Sequence, residues 1–165
     1  MFDTMTRYLE SLAVPRDQFF LGQVLTPLVD RYSTQALATA GLVISSTTTL
    51  AKIGATDFFA SVTGVMVKIA NGTDMPSLVG LNITAAKFNI ICFFVDSAAA
   101  VTVSMGQEGA TLATAVFPPF PKNKALVGFL VVTYASAFTG GTTPLNTATT
   151  VYISPVGPFD PSVLV

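Results

Sequence analysis

The most regular pattern of apolar and polar positions in the chain lies between residues 87 and 156. Lys87–Val95 and Ala125–Tyr134 are apolar at consecutive positions, so side chains on both faces of each predicted strand need burial. Val101–Met105 instead alternates apolar residues with Thr and Ser, which is typical of a half-buried strand, and Val151–Ser154 forms a fourth β segment. The pattern predicts one continuous β meander of four strands, two of them buried on both faces.

A second β-rich region precedes this meander. Leu42–Ile44 and Phe58–Phe59 are short apolar runs, and Val62–Ile69 has the alternation of an amphipathic strand. Asn71–Gly72 is a strong signal for a two-residue turn, which we expect to end that strand. The following segment, 73–86, contains Pro, Gly and Asn and is predicted to be loop with at most one short strand.

The N-terminal segment has a helical pattern rather than a β pattern. Met5, Tyr8, Leu9 and Leu12 recur at the spacing of one helix face, and the stripe stops before Pro15. A second amphipathic stretch follows it. Helices this short are marginal in water, so the segment needs a surface to pack against.

These patterns divide the chain into an N-terminal, partly helical arm (1–40), a β domain (41–159) and a C-terminal tail (160–165). The predicted fold class is mainly β, an antiparallel sandwich or a jelly-roll-like domain. We expect the arm to contact a neighbouring subunit or another partner; the alternative is a helical lid on its own sheet. The predicted partner-binding residues are Tyr8, Leu9, Phe19, Phe20 and Leu25.

The chain has very little charge for its length. Of 165 residues, 51% are apolar and only 10% are charged, whereas about 25% are charged in typical soluble domains. Apolar surface left exposed by such a composition usually marks an interaction site. The composition therefore predicts that much of the surface is covered in a homo-oligomer, in a larger assembly or in a membrane.

Two partner classes are not favoured by the charge pattern. A net charge of −1 without a basic cluster argues against direct binding of nucleic acid. Residues 125–159 carry no charge, but their apolar part ends near Phe138, short of the roughly 20 residues that a membrane-spanning helix needs. We therefore expect no membrane partner.

The residues that usually carry catalysis are scarce. The chain contains no His, and Cys92 lies within an apolar strand, where burial makes a thiol inert. Four acidic residues, Asp57, Asp74, Asp96 and Glu108, are spread over predicted loops without paired or metal-binding spacing. We expect them to anchor loops. The sequence predicts a protein that is not an enzyme and that uses no cofactor or metal.

Phe117–Pro121 is a short Pro-rich motif between two predicted strands. Its sequence, Phe-Pro-Pro-Phe-Pro, could serve as a polyproline ligand for an adaptor domain. A fixed corner between the strands requires fewer assumptions, so we predict a corner.

Several motifs, in the same order along residues 42–159, resemble a family of structural proteins from tailed-bacteriophage virions. They lie at turns and strand edges, so the resemblance assigns no catalytic residues. The arm lies outside the region of resemblance. The motifs are Phe93–Ser97, Ser104–Gly109, Val116–Lys124, Val127–Phe129, Thr139–Leu145 and Val151–Phe159.

The resemblance implies a capsid cement or decoration protein, since proteins of that kind are similar in size, trimerise and sit on the outer capsid shell. The expected partners are further copies of the chain, in a homotrimer, and the major capsid protein. The expected location is the capsid surface of the virion, and the host cytoplasm during assembly. The alternatives are a head-fibre, tail or baseplate component, and a membrane-active β protein.

Overall fold

The computed structural model describes residues 32–159, together with Gly22, Gln23 and Leu25 of the N-terminal segment. The chain divides into two compact units, residues 1–32 and residues 33–165. The described residues are mainly β, with 40% in strands and 6% in helices. The part from residue 32 to residue 159 forms eleven strands: β1 (Gln35–Ala36), β2 (Val43–Ile44), β3 (Ala51–Lys52), β4 (Phe58–Val62), β5 (Val65–Ile69), β6 (Asn82–Ile83), β7 (Phe88–Val95), β8 (Val101–Met105), β9 (Ala125–Thr133), β10 (Phe138–Thr139) and β11 (Thr149–Ile153).

Four antiparallel strands in the order β11-β9-β7-β8 form the largest sheet, which we call the central sheet. All four predicted strands are present, and β7 and β9 are buried on both faces as expected. The prediction of a continuous meander is wrong, because β9 pairs with β7 and not with β8. The doubly apolar strands β7 and β9 gain most from a central position, which leaves the half-polar β8 at an edge.

A β-bulge in β9 adjusts which side chains face the core. The register shifts between Phe93 and Phe94, which pair with Gly128 and Leu126, so Val127 is an extra residue on β9. A Cβ atom on Gly128 would lie 2.7 Å from both the Ile153 carbonyl oxygen and Leu42 Cδ1. The bulge therefore brings the backbone of β9 close to its neighbours at a position where only glycine fits.

The second sheet, which we call the small sheet, has the order β1-β4-β5. The strand predicted at Val62–Ile69 is interrupted by a two-residue turn at Thr63 and Gly64, with φ angles of 50° and 83°, so that β4 and β5 form a hairpin. Asn71–Gly72 does form a turn, as predicted, and it follows β5. The prediction of one short strand within residues 73–86 is confirmed by β6, which pairs with β10.

The two sheets pack on one another across a single apolar core, which we call the inner core. The small sheet contributes Phe58, Ala60 and Val62 from β4 and two residues of β5. The central sheet contributes alternate residues, including Ile91, Phe93, Val95, Val127, Leu130 and Val132. Antiparallel sheets packed in this way confirm the predicted fold class, a mainly β protein consistent with a sandwich.

The opposite face of the central sheet is also covered. Residues 106–124 connect β8, at one edge of the sheet, to β9, which lies on the other side of β7. This connection contributes aromatic rings to a second apolar cluster, which we call the outer cluster. Phe117 lies 5.0 Å from Phe129, and Phe120 lies 5.0 Å from Phe94, measured between ring centroids in T-shaped pairs. The Pro-rich motif is thus a corner that also explains the double burial of β7 and β9. The outer cluster consists of Ile90, Cys92, Phe94, Leu126 and Phe129, with Ala115, Phe117, Phe120, Val131 and Phe159 packed against them.

Candidate interaction surface

Most of the predicted partner-binding residues lie outside the described part of the chain. This applies to Tyr8, Leu9, Phe19 and Phe20. Leu25 is helical and half-buried, in agreement with a partly helical arm. The role of these residues in partner contact stays a prediction. The predicted boundary between the arm and the β domain, at residue 40, also stays a prediction, although the compact unit that holds the strands begins at Ser33.

Asp57 ties the end of β5 to the loop before β4. Its Oδ2 lies 2.7 Å from Lys68 Nζ, and its Oδ1 accepts a hydrogen bond from the Asn71 backbone N–H at 2.9 Å. Lys68 Nζ also lies 5.8 Å from the centroid of the Phe59 ring. The hydrogen bond from Lys68 and that from Asn71 hold the pKa of Asp57 below its usual value.

The other three carboxylates in residues 32–159 also bind loop groups. Asp96 Oδ1 accepts from the N–H groups of Ala98 and Ala100, at 2.9 and 3.0 Å, and so closes the β7–β8 turn. Asp74 and Glu108 each join two loops that are distant in sequence: Ser45 Oγ donates to Asp74 Oδ1 at 2.6 Å, and the Thr84 N–H donates to Glu108 Oε1 at 2.8 Å. The prediction that these four carboxylates anchor loops is confirmed.

Cys92 is fully buried in the outer cluster, and burial raises the pKa of its thiol. A thiol in such surroundings stays protonated, which agrees with its prediction as a core residue. Among the residues that the structure describes, no group of His, Cys, Asp and Glu side chains could hold a metal ion. The same residues include no helix with the length and apolar character needed to cross a bilayer.

The exposed apolar side chains are concentrated at sheet edges and in loops. Val65 and Met66 are exposed on β5, at the edge of the small sheet. Val151 and Ile153 are exposed on β11, at the edge of the central sheet, where their partners Val131 and Phe129 place them on the face of the outer cluster. These edges are the candidate interaction surface of the β domain.

Sequence reasoning placed partner contact on the arm and did not identify the sheet edges. The signal was available in the uncharged run of residues 125–159, which includes all of β11. That run could not be assigned to an edge without the strand order. The exposure of Val151 and Ile153 follows from the position of β11 at the end of the sheet, which alternation alone does not reveal.

Comparison with protein-family models, with curated proteins and with solved structures finds no match to this chain.

Proposed function

We propose that this chain is a structural subunit of a tailed-phage virion, which binds the outer surface of the major capsid protein lattice as a homotrimer and stabilises the head. The observation that carries the proposal is where the carboxylates of the β domain bind and which strands lack charged residues. All four carboxylates of residues 32–159 bind the protein's own loops, while the edge strands of the central sheet, β8 and β11, present apolar and hydroxyl side chains. Obligate assembly interfaces have this apolar, charge-poor character.

In the proposed mechanism, the trimer bridges neighbouring subunits of the capsid. A trimer that contacts several capsid subunits gains affinity through multivalency, because the second and third contacts form at high effective concentration. The arm supplies the contact through Tyr8, Leu9, Phe19, Phe20 and Leu25 in this proposal. The β domain acts as a rigid body, since its loops are fixed by the carboxylate bonds described above.

Deletion of residues 1–32 tests this mechanism. The strands β1 to β11 lie beyond the deletion, so we expect the truncated protein to stay folded and to lose capsid binding. The measurement is co-sedimentation with capsids of the phage that encodes the chain, after removal of their surface proteins. Circular dichroism and a thermal melt of the truncated protein serve as the folding control.

Capsid binding by the full-length and the truncated protein distinguishes an error in the proposed function from an error in the role of the arm. If the full-length protein does not bind the capsids, the proposed function is wrong. If the full-length and truncated proteins bind equally well, the capsid function stands and the role of the arm is wrong.

A further inference from the structure

Neither edge strand of the central sheet contains in its own sequence the residues that usually prevent edge-to-edge pairing. Within residues 32–159, β8 and β11 each have one neighbouring strand, so one side of each backbone is unpaired there. Their sequences, Val-Thr-Val-Ser-Met and Thr-Thr-Val-Tyr-Ile, contain no charged residue and no proline. Natural sheets normally protect such edges with Lys, Pro, a bulge or a covering segment.

The small sheet has that protection at both of its edges. On β5, Lys68 is exposed and paired with Asp57. On β1, Ala36 is joined by an antiparallel bridge to Gly157. Of the two sheets that pack across the inner core, only the central sheet lacks this protection within residues 32–159, as expected if its edges pair in an assembly.

The side chains of β8 and β11 are incompletely buried on both faces of the sheet. Val103 and Tyr152 pack against the inner core but are only half-buried. On the other face, 52% of Val151 and 37% of Ile153 is exposed. A strand added beside either edge would cover these apolar groups and satisfy the unpaired backbone.

The strand directions make the two edges complementary to one another. Three successive antiparallel pairings separate β8 from β11, so the two strands run in opposite directions. When a second copy repeats the sheet sideways, its β8 lies antiparallel to the β11 of the first copy. Thr102 pairs with Phe94 of the outer cluster, so Thr102 and Val151 lie on the same face of the central sheet. They remain on one face when β8 of one copy pairs with β11 of the next.

We propose that β11 of one copy pairs with β8 of the next, head to tail, so that the central sheets of three copies join. This deepens the proposed function and rests on its homotrimer, since a three-fold assembly requires a contact between two different surfaces. Lys124 Nζ donates to Thr102 Oγ1 at 3.0 Å. Neither β8 nor β11 contains an acidic residue that could pair with the ammonium group of Lys124. The proposed pairing is therefore driven by backbone hydrogen bonds and by burial of apolar side chains.

The substitution Val151→Lys tests the proposal in the full-length protein. It places an ammonium group at the centre of the proposed contact, and we expect the dissociation constant of the oligomer to rise about tenfold or more. Val79→Lys is the matched control: Val79 is 73% exposed in the loop before β6, outside the central sheet and outside the candidate interaction surface, and its substitution should leave the constant unchanged. The measurement is sedimentation equilibrium, with thermal melts to verify folding.

A second substitution distinguishes head-to-tail pairing from a two-fold contact between two β11 strands. Ser104→Asp added to Val151→Lys places opposite charges on one face of the proposed contact, because Ser104 pairs with Cys92 of the outer cluster, and should recover most of the lost affinity. In a β11–β11 contact, the two introduced ammonium groups would face each other, and the introduced carboxylate on β8 could not compensate for them. Failure of the double variant to recover therefore overturns the head-to-tail pairing.

The remaining outcomes separate this inference from the function on which it rests. Equal dissociation constants for Val151→Lys and the wild type overturn the edge contact, and so does a monomeric wild type. In the first case, binding of the wild-type trimer to capsids keeps the proposed function; in the second, capsid binding keeps the virion role and overturns the homotrimer. Absence of capsid binding by the wild type overturns the proposed function, whereas the sedimentation result decides the edge contact.

Discussion

At the scale of single residues, the four carboxylates of residues 32–159 are structural. Their loop positions could be predicted because each carboxylate lies between apolar runs. Their partners could not be predicted, since Asp74 binds Ser45, which is 29 residues away, and Glu108 binds Thr84, which is 24 residues away. Such bonds depend on which loops the strand order brings together.

Asp57 should make the stability of the protein depend on pH in the acid range. Its pKa is lowered in the folded state, so it stabilises the fold above its unfolded pKa of about 3.9, and this contribution is lost as the pH falls through the folded pKa. In Asp57→Asn, we expect the loss of stability on acidification to be smaller. The measurement is urea unfolding of both proteins from about pH 7 to about pH 3.

A second variant controls for the hydrogen bond to the loop. An amide side chain at position 57 can still accept from the Asn71 N–H, whereas Lys68→Met removes the ion pair and leaves Asp57 in place. Lys68→Met should therefore reduce the same acid dependence. Identical pH profiles for the wild type and Asp57→Asn would show that this carboxylate is not coupled to folding.

At the scale of elements, alternation located the strands of the central sheet but not their order. Apolar residues on both faces of β7 and β9 require a central position and a cover, and both are present. The cover comes from Phe117, Phe120 and Phe159, which lie in segments without β periodicity. No local pattern predicts which face such a segment will cover, so the meander was predicted incorrectly.

Phe117→Ala should loosen the segment that covers the outer cluster. The ring contacts Phe129, Phe120 and Phe159, and the loss of these contacts should cost about 2 kcal/mol for a half-buried ring. Cys92 lies in the same cluster, so its labelling by a thiol reagent should accelerate about tenfold or more through local opening. The measurement is the labelling rate under native conditions.

Leu112→Ala is the control for this effect. Leu112 belongs to the same connection, in the short 3-10 helix Leu112–Thr114, but it is 51% exposed and lies outside the outer cluster. Its substitution should leave the labelling rate of Cys92 unchanged. Equal rates in Phe117→Ala and the wild type would mean that the aromatic segment does not protect the thiol.

At the scale of the whole molecule, the low content of charged residues agrees with the positions of the charged residues in the fold. The acidic groups of residues 32–159 hold loops, the ion pair of Lys68 lies on the small sheet, and neither edge strand of the central sheet contains a charged residue. Composition alone predicted a covered surface. It could not locate that surface, because the position of an edge depends on the pairing of strands distant in sequence.

The native mass of the full-length protein, measured by light scattering after gel filtration in plain buffer, tests the central claim most directly. A uniform species at three times 17.2 kDa is the predicted result, because the proposed pairing of the edge strands and the proposed virion function both involve a homotrimer. A stable monomer of 17.2 kDa would contradict the account, since the apolar edges of the central sheet would then remain exposed to water without association.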